Sequence, residues 1–260
     1  MAHTLYQNFA LQAKLEDLYT TKMDLNPFIT TDYTLTAEAG DKITINTYTA
    51  TGDVEDLAMT EGNTGDIEVG FTPATYTVGV TQGRLQYYDE QVNKDPKVID
   101  VGVAGVVAKM TNNMTGKIIT ALNGTSTTGT FTGYGFDAVI DGLSALNLED
   151  NSGLFMLTNV ATANKFKKAL KDDLKYVEDF SRTGYIGTIA GVPMYVTKAV
   201  STADCFYIAH REAVTNFVKR GTEIEYERDA NTRLNKYFMR KTQVIALTDA
   251  TRAVKMTKAS

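Results

Sequence analysis

The chain has 260 residues, 43% of them hydrophobic and 22% charged, and a formal net charge of −5 at pH 7. That balance belongs to a globular protein with a real core, in one large or two modest domains, and excludes a disordered chain. No apolar run approaches the roughly 18 residues of a membrane-crossing helix, Val101–Ala108 being the nearest, and the single cysteine, Cys205, excludes an intrachain disulfide.

Met1–Leu18 has no apolar core of the secretory type, so no signal peptide is expected. Thr4–Tyr19 reads as a helix, with Leu5, Phe9, Leu15 and Tyr19 roughly on one side, and Asn26-Pro27 ends it. Gly40-Asp41 opens a turn, after which Lys42–Thr49 alternates with period two, as a half-buried strand does. Ala50–Phe71 holds Gly52, Gly62, Gly65 and Gly70 among acids and is expected to be a mobile tip. The chain returns as a strand, so a long β-ribbon is expected, pairing Ile43–Tyr48 with Tyr76–Leu85. Ten-residue arms would reach roughly 33 Å. A lone ribbon is marginal in water and its edges invite pairing. Docking on another copy of the chain solves both problems; folding back on its own domain is the alternative.

Asp95 suits an N-cap and Pro96 the first helical position. Ile99, Val103, Val106, Met110, Met114, Ile118 and Leu122 then recur at helical period, predicting a helix from Pro96 to Leu122, ended by Asn123-Gly124. Gly102, Gly105 and Gly116 weaken that helix, and close approach by a packed element, at Gly105 in particular, would explain them. Thr125–Gly135 reads as a connector and Phe136–Leu148 as a second helix. Leu154–Leu157 is a short buried strand, and Thr158 or Asn159 caps a third helix to about Leu174. Ser181–Gly187 is a loop, and Ile189–Val196 a strand pair pinched at Gly191. Cys205–Ala209, Glu223–Arg228 and Tyr237–Leu247 are strands, the last expected to pair with Ala253–Met256.

The charges are unevenly spread. Asp53, Glu55, Asp56, Glu61, Asp66 and Glu68 fall between Ala50 and Gly70 without a Lys or Arg, whereas Lys219–Ser260 holds ten basic and five acidic residues, a net of +5. Two ordinary solvated surfaces would account for this. Complementary patches that meet between subunits would account for it as well, and then the six acids, with Arg228, Arg233, Lys236 and Arg240, are the candidate contact residues.

Catalytic constellations fare badly. Cys205 and His210 are five apart, on opposite faces of a strand, which disfavours a nucleophilic pair. The tip carboxylates lack calcium-loop spacing, so a solvated tip is favoured over a weak cation site. Gly133-Tyr134-Gly135 lacks the third glycine and the preceding buried strand of a dinucleotide fingerprint. No P-loop, CxxC pair, HExxH or G-x-S-x-G is present. The basic run Lys165–Lys175 is a solvated face by default, with phosphate contact as the alternative. Neither an enzyme nor a cofactor or metal site is expected.

The order of elements resembles the major capsid proteins of tailed bacteriophages, whose fold is named after a Hong Kong coliphage. Local stretches are similar too: Val80–Leu85 through Tyr88-Asp89 into Asp95-Pro96, Gly135–Asp141, Leu154–Asn159, Gly187–Val196, Glu225–Asp229, and Tyr237 through Thr248-Asp249 to Val254. The resemblance covers nearly the whole chain. It implies an α+β capsid fold with an N-terminal arm (residues 1–38) and an extended β-hairpin loop (39–86). A peripheral domain with a long spine helix (87–123 and 219–260) and an axial α/β domain (124–218) complete it. It further implies self-assembly into hexamers and pentamers of an icosahedral virion shell, built in the host cytoplasm around double-stranded DNA held non-specifically. Scaffold, portal and decoration proteins are the implied partners, and no membrane is involved. The acidic tip would overlie a neighbour's basic peripheral domain.

Two departures stand out. The arm begins almost at Met1, where some members carry a long scaffolding region, which implies a separate scaffold or a prodomain removed or never needed. The tip has no lysine, Lys42 lying at the ribbon base, so the lysine–asparagine crosslink of one branch is not expected. An encapsulin, a cellular nanocompartment shell, is the rival within the fold; a monomeric binding module whose ribbon grips a partner is the rival outside it.

Overall fold

The computed structural model describes residues 25–37, 40–171 and 187–259. The helix expected over Thr4–Tyr19, the loop at Ser181–Gly187 save its last residue, and the end of the third helix lie outside these. In chain order the elements are β1 (Thr30–Asp32), β2 (Lys42–Thr51), β3 (Glu68–Thr77), β4 (Gly79–Tyr88), α1 (Asp89–Lys94), α2 (Lys97–Leu122), β5 (Thr127–Phe131), α3 (Phe136–Leu146), β6 (Leu154–Thr158), α4 (Val160–Ala169), β7 (Thr188–Ile189), β8 (Val192–Val196), β9 (Cys205–His210), β10 (Val214–Asp229), β11 (Leu234–Leu247) and β12 (Ala253–Lys258). The class is α+β.

The strands form three sheets among the described residues: β1-β10-β11-β4, β5-β12-β9-β6-β8-β7, and the two-stranded β2-β3. The six-stranded sheet is buried on both faces, and strand periodicity divides its side chains. Leu154, Met156, Phe206 and Ile208 point into a core shared with Val139 of α3 and Phe166 of α4. Phe155, Leu157, Cys205 and Tyr207 point the other way, onto Ile118, Ile119 and Leu122 at the end of α2. Two buried faces explain why β6 and β9 read as continuous apolar runs.

Helix α2 begins where expected. Asp95 Oδ1 accepts the Lys97 amide at 2.9 Å and Pro96 has φ −61°. Its buried stripe is Val103, Val107, Met110, Met114, Ile118, Ile119 and Leu122. The first half of that stripe packs on Tyr87, Tyr237 and Met239 of the four-stranded sheet. The third helix is capped as expected, Asn159 Oδ1 accepting the Thr162 amide at 2.7 Å. The hairpin β7–β8 turns through Ala190 and Gly191, both with positive φ.

Five expectations are corrected. The returning strand is two strands: β3 pairs with β2, from Lys42↔Thr77 to Thr51↔Glu68, while β4 pairs with β11, from Gly79↔Gln243 to Tyr88↔Leu234. The partner changes at Val78, whose amide donates to Asp41 O at 2.7 Å and closes the ribbon base. The paired arms run on to Thr51 and resume at Glu68, which confines the tip to residues 52–67. The connector Thr125–Gly135 contains a strand, β5, because Thr127–Phe131 pairs in parallel with β12. That pairing overturns the next expectation too: β12 lies between β5 and β9, not beside β11. The position buries Val254 and Met256 in the six-stranded sheet's core and gives β12 two hydrogen-bonded neighbours in place of one. Finally, a Cβ on Gly105 would meet nothing within 4 Å, whereas one on Gly102 would lie 2.3 Å from Leu85 Cδ1. Gly102 is the close-approach glycine.

Candidate assembly interface

Among the described residues the ribbon is anchored at its base. Ile43, Ile45, Tyr76 and Val78 pack against buried Leu35, Phe217 and Ala246. The Tyr76 hydroxyl donates to Leu247 O at 3.1 Å, and the Lys219 amine donates to Gly40 O. Beyond the base the side chains emerge into solvent. Tyr48, Val69 and Phe71 are about two-thirds exposed, and Met59 at the tip almost wholly so.

The tip is tied across by its own acid. Glu55 accepts the Thr64 amide at 2.9 Å and the Thr64 hydroxyl at 2.7 Å. These bonds, the amide's first, hold its carboxyl below the usual carboxylate range. Gly52, at φ +121°, lets the chain pass beside Asp66 O, where a Cβ would collide. Glu61 in turn accepts the Ala58 amide at 3.3 Å.

The structure gathers the six candidate acids on the distal ribbon: Asp53, Glu55, Asp56, Glu61 and Asp66 in the tip, Glu68 at the start of β3. Of the four candidate bases, Arg228, Arg233 and Lys236 lie at the far end of the β10–β11 hairpin and Arg240 lies midway along β11, each with an acid of its own chain. Arg228 Nη2 lies 2.9 Å from Asp89 Oδ2, Arg233 Nε 2.7 Å from Glu90, and Lys236 Nζ 3.0 Å from Glu227. Arg240 bridges Glu223, at 2.8 Å, and Glu225. No ion pair joins the two sets among the described residues. Composition could not reveal these pairs, because Glu223, Glu225 and Glu227 face their bases only once β10 and β11 are in register.

Three further features stand out in the folded chain. Asp89 organises a network in which Arg228 and Asn235 Nδ2, the latter at 2.6 Å, both bind its carboxylate. Arg228's hydrogen bond, then Asn235's, lowers the Asp89 pKa. The second feature is a groove of about 590 Å³ where β3 and β4 part, lined by Tyr76, Ala121, Ile245, Leu247, Gln243 and Lys117. Burial depresses the Lys117 amine, which donates to Thr81 Oγ1 at 2.7 Å. The third is the exposed pair Tyr48–Phe71, with ring centroids 6.4 Å apart; a change in the parity of apolar positions along Lys42–Thr51 is its sequence signal.

The chemical candidates take ordinary structural places. Cys205 is fully buried and burial raises its thiol pKa; His210 lies 3.5 Å from Glu212. Lys165 pairs with Asp204 and sits 5.3 Å from the centre of the Tyr134 ring. Among the described residues no group of three or more His, Cys, Asp or Glu is placed to hold a metal, and no helix is long and apolar enough to cross a membrane.

No protein-family model matches the sequence, and no curated protein matches it. Solved structures do. The chain superposes on the capsid of a native GTA particle with a TM-score of 0.72 at 12% identity, covering 92% of this chain and 91% of that one. The fold is that of a tailed-phage capsid subunit. The same capsid fold appears in the mature capsid of bacteriophage PhiM1 (TM-score 0.64, 12% identity, 89% of this chain and 86% of that one). A virus-like particle from Pyrococcus furiosus also shares it (TM-score 0.62, 10% identity, 95% and 97%). At such identities the capsid fold is kept by burial pattern and topology while nearly every side chain differs.

Proposed function

We propose that the chain is the major capsid protein of a tailed bacteriophage. Its copies assemble into hexamers and pentamers that close an icosahedral shell around double-stranded DNA. The observation that carries this is the match to the GTA capsid, which covers 92% of this chain and 91% of that one. The ribbon supports it: a sheet of two strands among the described residues, with an exposed apolar surface, is a device for gripping a neighbour. The role is structural rather than catalytic. Many modest contacts sum to a stable shell because each bound copy raises the effective concentration of the next contact.

The proposed division is an arm at 1–38, the loop at 39–86, a peripheral domain from 87–123 and 219–260, and an axial domain at 124–218. Across that division β12 joins the six-stranded sheet of the axial segment. In the proposed shell the tip acids Asp53, Glu55, Asp56, Glu61, Asp66 and Glu68 face a neighbour's Lys219–Ser260 region. There the paired bases Arg228, Arg233, Lys236 and Arg240 would exchange or share their carboxylates. Scaffold, portal and decoration proteins are the further partners proposed, with assembly in the host cytoplasm.

Electron microscopy and light scattering of the purified chain test the proposal. Closed shells or capsomer rings support it; monomers at every salt and concentration leave either a shell subunit that lacks its scaffold or a binding module. A cellular shell of the encapsulin type is the second reading, and the shared fold of the virus-like particle does not separate it from the first. Terminase and portal genes beside the coding gene, and DNA inside native particles, favour the phage; a packaged protein cargo favours the cellular shell.

A further inference from the structure

Strand β11 outruns its neighbour. Its pairing with β4 ends at Gln243↔Gly79, and Val244–Leu247 continue along β10 without β4 beside them. The lane left open is the groove of about 590 Å³. One wall is the last part of α2, with Lys117 and Ala121; the other is Ile245 and Leu247 of β11, and Tyr76 of β3 flanks it. Its two ends differ. At one, the Tyr76 hydroxyl donates to Leu247 O at 3.1 Å, and a Cβ on Gly124 would stand 3.8 Å from Leu247 Cδ2. At the other, a Cβ on Gly79 would meet nothing within 4 Å. Thr81, two residues on and so on the same face of β4, accepts from the Lys117 amine at 2.7 Å. Lys117 and Gly124, which mark the two ends, are roughly 10 Å apart at the helical rise.

Lys117 is the group that the fold leaves unanswered. It is partly buried, and burial alone lowers its pKa. Among the described residues the Thr81 hydroxyl is its hydrogen-bond partner, and no carboxylate pairs with it. An ammonium held partly out of water without a counter-charge costs free energy, and one hydroxyl uses only one of its three N–H donors. We propose that this groove binds a small amphipathic anion, a carboxylate on an aliphatic tail, with its head on Lys117 and its tail along Ala121, Ile245 and Leu247. The volume falls in the range of small-molecule sites, about 300–1,000 Å³, and so does the make-up, apolar walls with a few placed polar groups. The sign of the head follows from charge: a cation stands at one end, and no Asp or Glu lines the groove. The tail follows from the walls, since a bare inorganic anion would leave the lane beyond Lys117 unfilled. The site lies within one subunit, so this proposal holds whether or not the chain forms shells. A bound tail would bridge α2, β11 and the end of β3, and so would stabilise the ribbon base by linkage.

The probe is octanoate, with octanol as its uncharged counterpart, titrated into the full chain by calorimetry and followed by thermal melting. Octanoate is expected to bind saturably, one per chain, and to raise the melting temperature. Lys117→Met keeps the length of the side chain and removes its charge; it should weaken octanoate on the order of tenfold and leave octanol unchanged. Gly79→Leu places a side chain in the open end and should block both ligands. Lys109→Met removes an exposed lysine of α2 outside the groove and should change neither. Circular dichroism checks that each variant folds, and Lys117→Met, which removes a poorly solvated charge, decides alone if Gly79→Leu does not. No saturable binding by the native chain overturns the proposal. So does octanoate binding that Lys117→Met leaves unchanged, that a folded Gly79→Leu leaves unchanged, or that Lys109→Met weakens as much as Lys117→Met does.

Discussion

Two long hairpins leave the body of this subunit, and they are built differently. The β10–β11 hairpin has β4 along one side and α2 beneath it, and its bases meet acids across the strands. The β2–β3 ribbon has no third strand among the described residues, and acids crowd its tip with no base among them. One hairpin is complete within a single chain. The other is complete only at its root. A charge surplus in a sequence is therefore not yet an interface: Arg228 and Arg240 are already paired within the chain, and in the proposed shell a neighbour's acids would have to compete with Asp89, Glu223 and Glu225 for them.

The contrast is broken most directly by truncating an aromatic residue in each hairpin. Tyr237 is buried between Tyr87 and Tyr226, with ring centroids 6.0 and 4.8 Å away. Tyr237→Ala should cost about 3 kcal/mol in chemical denaturation of the unassembled chain. Tyr48→Ala should stay within about 0.5 kcal/mol in the same assay. Equal losses would mean the ribbon is as much a part of the fold as the sheet.

Next in size is the support of β4, the strand that completes the first hairpin. Gly102→Val should cost about 1–3 kcal/mol, because the new side chain meets Leu85 in a packed layer. Gly105→Ala should instead gain up to about 1 kcal/mol, since helix propensity improves and no atom stands in the way. Thermal or denaturant melting of the two variants reads the difference in sign.

A smaller effect sits at the hairpin's end. Asp89→Ala should cost about 1 kcal/mol, because Asn235, itself buried, loses an acceptor and Arg228 its partner. The Asp89 pKa is depressed by Arg228 and Asn235 in the folded chain. Its contribution is therefore complete above the ordinary aspartate range of about pH 4 and is lost as pH falls through the lower folded value. Acid titration of stability should be flatter in Asp89→Asn than in the native chain below about pH 4.

The smallest effect is local. Glu55→Gln should leave global stability unchanged and speed amide exchange at Thr64, whose N–H the carboxylate holds. An unaltered exchange rate would mean that Glu55 does not order the tip.

Much of this fold was legible in the sequence. Asp95-Pro96 and the stripe ending at Leu122 announce α2, Asn159 announces the cap of α4, and Lys42–Thr49 announces a strand. These are local signals: a cap is satisfied within one helical turn, and an alternation is set by neighbours two residues apart. The candidate interface was legible as composition, acids in one stretch and bases in another; the parity change at Tyr48 gains its meaning only once β2 and β3 pair.

What the tertiary structure alone decided is who meets whom. Val78 ends the ribbon because its amide reaches Asp41, and Gly79 starts a strand that belongs to β11. Ala253–Lys258 joins β5 and β9, where Val254 and Met256 fill a core that strands distant in sequence create. Gly102, not Gly105, faces Leu85, a choice made by how α2 is rotated on the sheet. Period and propensity are properties of a segment, whereas pairing depends on the burial available across the whole chain. The sequence by itself therefore determined most of the elements; the tertiary structure added β1, α1, β5 and the first half of β10, split β3 from β4, and decided which strands pair and which glycine is crowded.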